Sequence, residues 1–214
     1  IGNGKHKPNL DAIQYLYGDI WPRIKKLLPE ARISIYGAYL PDHIKALHKP
    51  KMGFHVKGYV EDAQLIMRKA RVNLIPLRYG AGLKGKLLLA YENGTPSVCT
   101  AAGIEGYLKT DSEDLHSFNE ADDFANEAVR LYTNKEVWLQ KQQEGYLIVE
   151  SSFGGKEIKD SFLEALTKLG NQLNEHRMGN FTGSMLWHHS MQSTKYLSKW
   201  ISLKNQIKSP DRAT

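Results

Sequence analysis

Cysteine is nearly absent. Cys99 is the only one in 214 residues, which excludes an internal disulfide and a cysteine metal cage. No apolar run approaches the roughly 20 residues that a membrane-spanning helix needs. No secretory segment is visible, so the N-x-Thr triplets at Asn93 and Asn180 read as chance. The cytoplasm is the expected location, with attachment to a membrane surface as a variant. The formal net charge is +6, yet there is no Arg-rich run and no aromatic RNA-binding signature, so nucleic acid is not an expected partner. His188 and His189 are adjacent, point to different helix faces and have no His or Glu four residues on, so no metal site is expected. The chain has neither G-x-x-x-x-G-K-[ST] nor a G-x-G-x-x-G after its first strand, which excludes both nucleotide fingerprints.

The composition that remains is ordinary for a globular protein, with 41% hydrophobic and 24% charged residues. The charge is uneven: residues 1–60 carry +6, residues 61–155 carry −4 and residues 156–214 carry +4. Ile1-Gly2 reads as the end of a strand whose beginning is expected upstream. Residues 9–28 repeat Ile13, Leu16, Ile20, Ile24 and Leu27 at helical spacing, and Pro22 predicts a kink near Ile20. Strands are expected at 32–36, 54–57, 72–75 and 96–99. Short helices follow at 41–47, 63–68 and 87–91, with Gly or Pro at each strand end. That alternation predicts an α/β fold: a Rossmann-like parallel sheet flanked by helices. After Gly106 only helices are expected, at 120–133, 136–150, 160–174 and 184–207. The chain thus divides into a nucleotide-binding-type domain over 1–150 and a C-terminal helical extension over 151–214.

Ligands of such sheets gather at the carboxyl ends of strands. Of the loops there, 78–86 is the most informative. Gly80, Gly82 and Gly85 let backbone N–H groups approach an anion, a helix begins near Lys84, and Arg78, Lys84 and Lys86 add positive charge. A diphosphate is the natural guest; the alternative is a tight strand-to-helix turn. Gly2-Asn3-Gly4-Lys5-His6-Lys7 is a second basic loop, either reaching the same ligand or forming a solvated turn.

The order of several short motifs carries a resemblance. These are Ile1-Gly-Asn-x-x-His-x-Pro-Asn9, Gly37, Val56-x-Gly58-Tyr-Val60, Pro76-Leu-Arg-Tyr-Gly-Ala-Gly-Leu-Lys-Gly-Lys86, Gly94-Thr-Pro-Ser-Val98 and Gly103-Ile-Glu-Gly106. Residues 1 to about 150 resemble the carboxyl-terminal, nucleotide-sugar-binding half of a group 1 glycosyltransferase of the GT-B fold. The resemblance implies an enzyme that transfers a sugar, of hexosyltransferase type, from a nucleotide diphosphate donor. The donor is a substrate and no cofactor is implied. It implies an amino-terminal acceptor domain, which this chain lacks, so the chain alone is expected to be inactive. The acceptor is a glycan, a lipid-linked sugar or a small molecule.

Carried onto this sequence, the resemblance places Gly2, Asn3, Lys5, His6, Arg78, Gly80, Ala81, Gly82, Leu83, Lys84, Lys86 and Glu105 around the diphosphate and sugar. Gly58, Tyr59 and Val60 flank the base, and Glu92 is the candidate for the ribose. The chain departs from the family in one respect that matters. Two glutamates eight positions apart are usual there, and these places hold Ala81 and Leu89. A degenerate nucleotide-sugar-binding module is therefore the alternative function, and a partner-docking domain with a basic tail is another. The apolar positions of 184–207, with Trp187 and Trp200, predict packing back onto the body with residual exposure and weak self-association.

Overall fold

The computed structural model describes residues 1–107, 116–153 and 155–207. The chain forms two compact units, Ile1–Gly155 and Lys156–Thr214.

The first unit opens with a helical rod. Helix α1 (Lys7–Tyr15) passes through a π-helical stretch, Leu16–Ile20, into α2 (Trp21–Leu27). Pro22 has no N–H, and its ring would collide with the carbonyl four residues back in a regular helix. The wider turn immediately before it, with Trp21 N–H on Leu16 O, removes that conflict. The apolar face of the rod, from Ile13 through Leu16, Ile20 and Trp21 to Ile24, is buried. Phe54 lies fully buried against it, with the Tyr17 ring edge-on at 5.1 Å and the Trp21 ring at 6.3 Å.

Strands β1 (Ile33–Tyr36) and β2 (Phe54–Gly58) pair in parallel, with Ile33 opposite Phe54 and a register shift between Ile35 and Tyr36. Strands β3 (Asn73–Ile75) and β4 (Ser97–Cys99) form a second parallel pair, with Asn73 opposite Ser97. The first residues of the chain run beside the end of β1. Gly2 N–H donates to Tyr36 O (2.9 Å) and Gly4 N–H to Ala38 O (2.8 Å). This approach requires glycine, because a Cβ on Gly37 would collide with Gly2 O and one on Gly4 with Tyr39 O.

Between strands lie the crossovers: α3 (Asp42–Lys45), α4 (Ala63–Lys69) and α5 (Gly85–Glu92). After β4 come α6 (Ala101–Ile104), α7 (Ala121–Thr133) and α8 (Lys135–Phe153). Parallel strands flanked by helices make this an α/β unit of the Rossmann-like kind. Helix α7 buries Phe124, Ala128 and Leu131 in the cluster with the rod. Leu87 and Tyr91 of α5 join Ile75, Leu77, Cys99 and Ile104 in a second cluster. The second unit is helical: α9 (Lys156–Asn171), α10 (Leu173–Gly179) and α11 (Phe181–Ile207). The helix expected over 160–174 is two, α9 and α10, parted at Gln172.

Helix α8 holds α5 in place through a glycine. A Cβ on Gly145 would lie 2.7 Å from Cδ1 of the buried Tyr91. Gly145→Ala gains about 1 kcal/mol of helix propensity but overpacks this contact by about 1–3 kcal/mol. The urea midpoint is expected to fall; an unchanged or raised midpoint would show that the contact yields freely.

Candidate functional site

Two loops at the carboxyl ends of the strands meet, and each runs into a helix. Residues 2–6 enter α1, and residues 76–84 enter α5. In the second loop Gly80 (φ 135°) and Gly82 (φ 74°) have backbone conformations that L side chains rarely adopt. The chain turns sharply there, and α5 starts at Gly85 with no side chain capping its first turn. The helix dipole makes that end electropositive.

Side chains tie the loops together. Lys86 Nζ donates to Asn9 Oδ1 (2.6 Å), and Asn9 Nδ2 donates to Asn3 O (2.9 Å). Arg78 forks onto Asp11, with Nε donating to Oδ2 at 2.9 Å and a second bond from Nη2 to Oδ1, and its guanidinium lies 5.0 Å from the Tyr15 ring centre. Gly80 packs close to Pro8. Asn9 and Asp11, on the first turns of α1, were not among the site residues expected from sequence. Their position directly after a basic strand-end loop was the available signal.

The cations of the site fall into two groups. Lys84, only 8% exposed, is turned inward, donating to Gly82 O (2.6 Å) and Gly80 O (3.4 Å) and pairing with Glu105 Oε2 at 3.2 Å. It braces the glycine loop, as Arg78 braces the loop against α1. Lys86 and Lys5 have no carboxylate partner among the described residues. Lys5 Nζ rests 4.2 Å above the exposed Tyr39 ring, whose residue has φ 58°, the only positive φ outside glycine among the described residues. Tyr39 is a third residue outside the site expected from sequence. Lys86 is partly buried, and desolvation first, then the Lys84 charge, lowers its pKa from 10.5 to about 8.

The other expected residues are distributed as follows. Asn3 Oδ1 accepts from Lys5 N–H at 2.8 Å, and His6 is the residue preceding α1. Ala81 is exposed, and Leu83 lies against Gly106. Gly58 (φ 78°) ends β2 beside β1, with Gly37 N–H donating to its carbonyl at 2.7 Å; Tyr59 is exposed and Val60 half-buried. Glu92 is not brought to the loop. It is the last residue of α5, about 10 Å along the axis from Gly85. Leu89, nearer the loop, is half-buried. Among the described residues no cluster of three His, Cys, Asp or Glu side chains is placed to hold a metal ion.

A family model of the group 1 glycosyl transferases matches residues 1–134, which contain all of these loops. The chain belongs to the group 1 glycosyltransferases. Solved structures carry the same fold. A Staphylococcus aureus TarM variant in complex with fondaparinux, α-GlcNAc-glycerol and UDP superposes with a TM-score of 0.61 at 15% identity, covering 76% of this chain and 34% of that one. The pneumococcal O-GlcNAc transferase GtfA, in complex with UDP and GlcNAc, gives 0.54 at 22% identity, over 73% and 33%. A GtfA/B complex gives 0.55 at 15% identity, over 79% and 35%. This glycosyltransferase chain thus spans about a third of the length of the structures it matches. No curated protein matches it significantly in sequence.

The buried ammonium gives a pH test. Lys86 titrates near 8 in the fold against 10.5 ordinarily, so the unfolded chain binds the extra proton between those values. Its charge therefore opposes folding at pH 7, and this opposition fades as the pH rises through that window. Lys86→Met is expected to raise the unfolding free energy at pH 7 by about 1–3 kcal/mol and to change it little above pH 10.5. A destabilised variant at pH 7 would contradict the assignment.

Proposed function

We propose that this chain is the donor-holding half of a sugar transferase. Its two facing loops take the diphosphate of a nucleotide sugar, and the sugar passes to an acceptor presented by a further domain. The observation that supports this most directly is Lys86, a partly buried ammonium whose one hydrogen-bond partner among the described residues is the neutral Asn9 amide. A buried cation without a carboxylate is costly, and a bound phosphate removes the cost. The N-terminal end of α5, which no side chain caps, offers its positive dipole end to the same anion. Lys5, held only over the Tyr39 ring, is a second cation of the first loop without a carboxylate partner among the described residues.

The chemistry is electrostatic. As the bond between sugar and diphosphate breaks, negative charge grows on the leaving oxygen. Lys86 and the helix end stand ready to stabilise it without rearranging. Arg78 and Lys84 contribute by rigidity, since Asp11 and Glu105 already answer their charges. Gly58, Tyr59 and Val60 form the wall for the base on the neighbouring strand end.

Calorimetry with uridine and UDP tests the reading. UDP is expected to bind and uridine to bind weakly. Lys86→Met should weaken UDP about ten- to hundredfold, the worth of a charge-assisted hydrogen bond, and leave uridine unchanged. Equal losses for both, or no diphosphate binding by any nucleotide tried, would overturn it.

A second reading, a degenerate module that binds the donor without transfer, is favoured by one observation. Leu89 holds the place where the family usually carries its second glutamate, and Glu92 lies at the far end of α5. Leu89→Glu is expected to tighten UDP binding severalfold, while Glu92→Ala leaves it unchanged. A loss with Glu92→Ala would return the ribose role to that residue.

A further inference from the structure

Helix α11 has a face that nothing in the donor site uses. Tyr196, Leu197, Trp200 and Ile201 follow the spacing of one helical face, and all four are exposed. The opposite face carries Lys195 and Lys199, one turn apart. From Phe181 to Ile207 the helix contains no Asp or Glu at all. Its lysines therefore have no acidic partner within the helix, and none makes an ion pair among the described residues.

Lys204 decides what this face can meet. It lies one turn after Trp200 on the apolar face, with Nζ 4.7 Å from the Trp200 ring centre. A dry seam with a second copy of the helix would bury that ammonium and set two all-basic helices side by side. A bilayer surface does neither. The Lys204 stem lies along the acyl boundary while the ammonium reaches a phosphate. The Trp200 and Tyr196 rings suit headgroup depth, and Lys195 and Lys199, on the outer face, add to the positive field that draws the helix to an anionic layer within a Debye length.

We propose that α11 is an interfacial helix that docks this glycosyltransferase on an anionic phospholipid surface. The charge pattern, three lysines over residues 195–204 and no acidic residue anywhere in the helix, selects that partner over self-pairing.

The test is co-sedimentation of the full chain with phosphatidylcholine vesicles, with and without phosphatidylglycerol, at low and high salt. Binding is expected only with phosphatidylglycerol, weakening as salt screens the lysines. Lys204→Gln should weaken it about fivefold, and each of Lys195→Gln and Lys199→Gln by less. Trp200→Ser should weaken it while keeping the lipid preference. Both sets of changes lie on an exposed helix, and circular dichroism of each variant should match the parent. Equal binding to both vesicle types, or binding to neither, would overturn the proposal. So would a vesicle-independent dimer that Trp200→Ser abolishes, or capture by polyglutamate without capture by vesicles. Because UDP titration reads only the first unit, its outcome stands apart from this one.

Discussion

A charge held partly out of water organises the carboxyl edge of this fold. Lys86 sits one residue into α5 and is anchored by an amide, not by a carboxylate. Placing it there requires both loops to be rigid before any ligand arrives. Rigidity comes from glycines that let backbones touch, at Gly4 and Gly37, and from positive-φ turns at Gly80 and Gly82. It also comes from two internal ion pairs, Arg78 with Asp11 and Lys84 with Glu105. Preorganisation of this kind costs stability in the empty protein and would reduce the reorganisation needed for the phosphate binding proposed above.

The arrangement also explains why four basic residues in one region do not act alike. A cation already facing a carboxylate adds little net potential, whereas one facing only an amide oxygen adds nearly all of its charge. The positive potential is therefore concentrated where α5 begins, beside the Gly2–His6 loop, and Arg78 and Lys84 add little to it. Membership of the group 1 glycosyltransferases fits a site of this sign and place.

Most of the architecture was legible in the sequence because it depends on local pattern. The rod over 7–27 follows from apolar residues at helical spacing, and Pro22 marked the disturbance that takes the form of a π turn. The glycine-rich loop was legible for the same reason. The division of labour among cations was not. Asp11 and Arg78 are 67 residues apart, and no periodicity links them. Lys84 reads as a free phosphate ligand until its pairing with Glu105 and the glycine carbonyls is seen. Tyr39 was illegible for another reason, since a non-glycine residue at positive φ leaves no signature in composition. The second helix boundary at Gln172 was missed because the apolar spacing of 160–174 runs on across it.

The proposed role of the Lys86 ammonium is to meet a phosphate. Its side-chain nitrogen can be titrated directly by NMR in the nitrogen-15-labelled chain, without ligand and with inorganic pyrophosphate. The account requires a midpoint near 8 in the empty protein and a clear rise when pyrophosphate is present, because an anion at 3 Å distance favours the charged form. A midpoint near the ordinary lysine value, or one that pyrophosphate does not move, would contradict it.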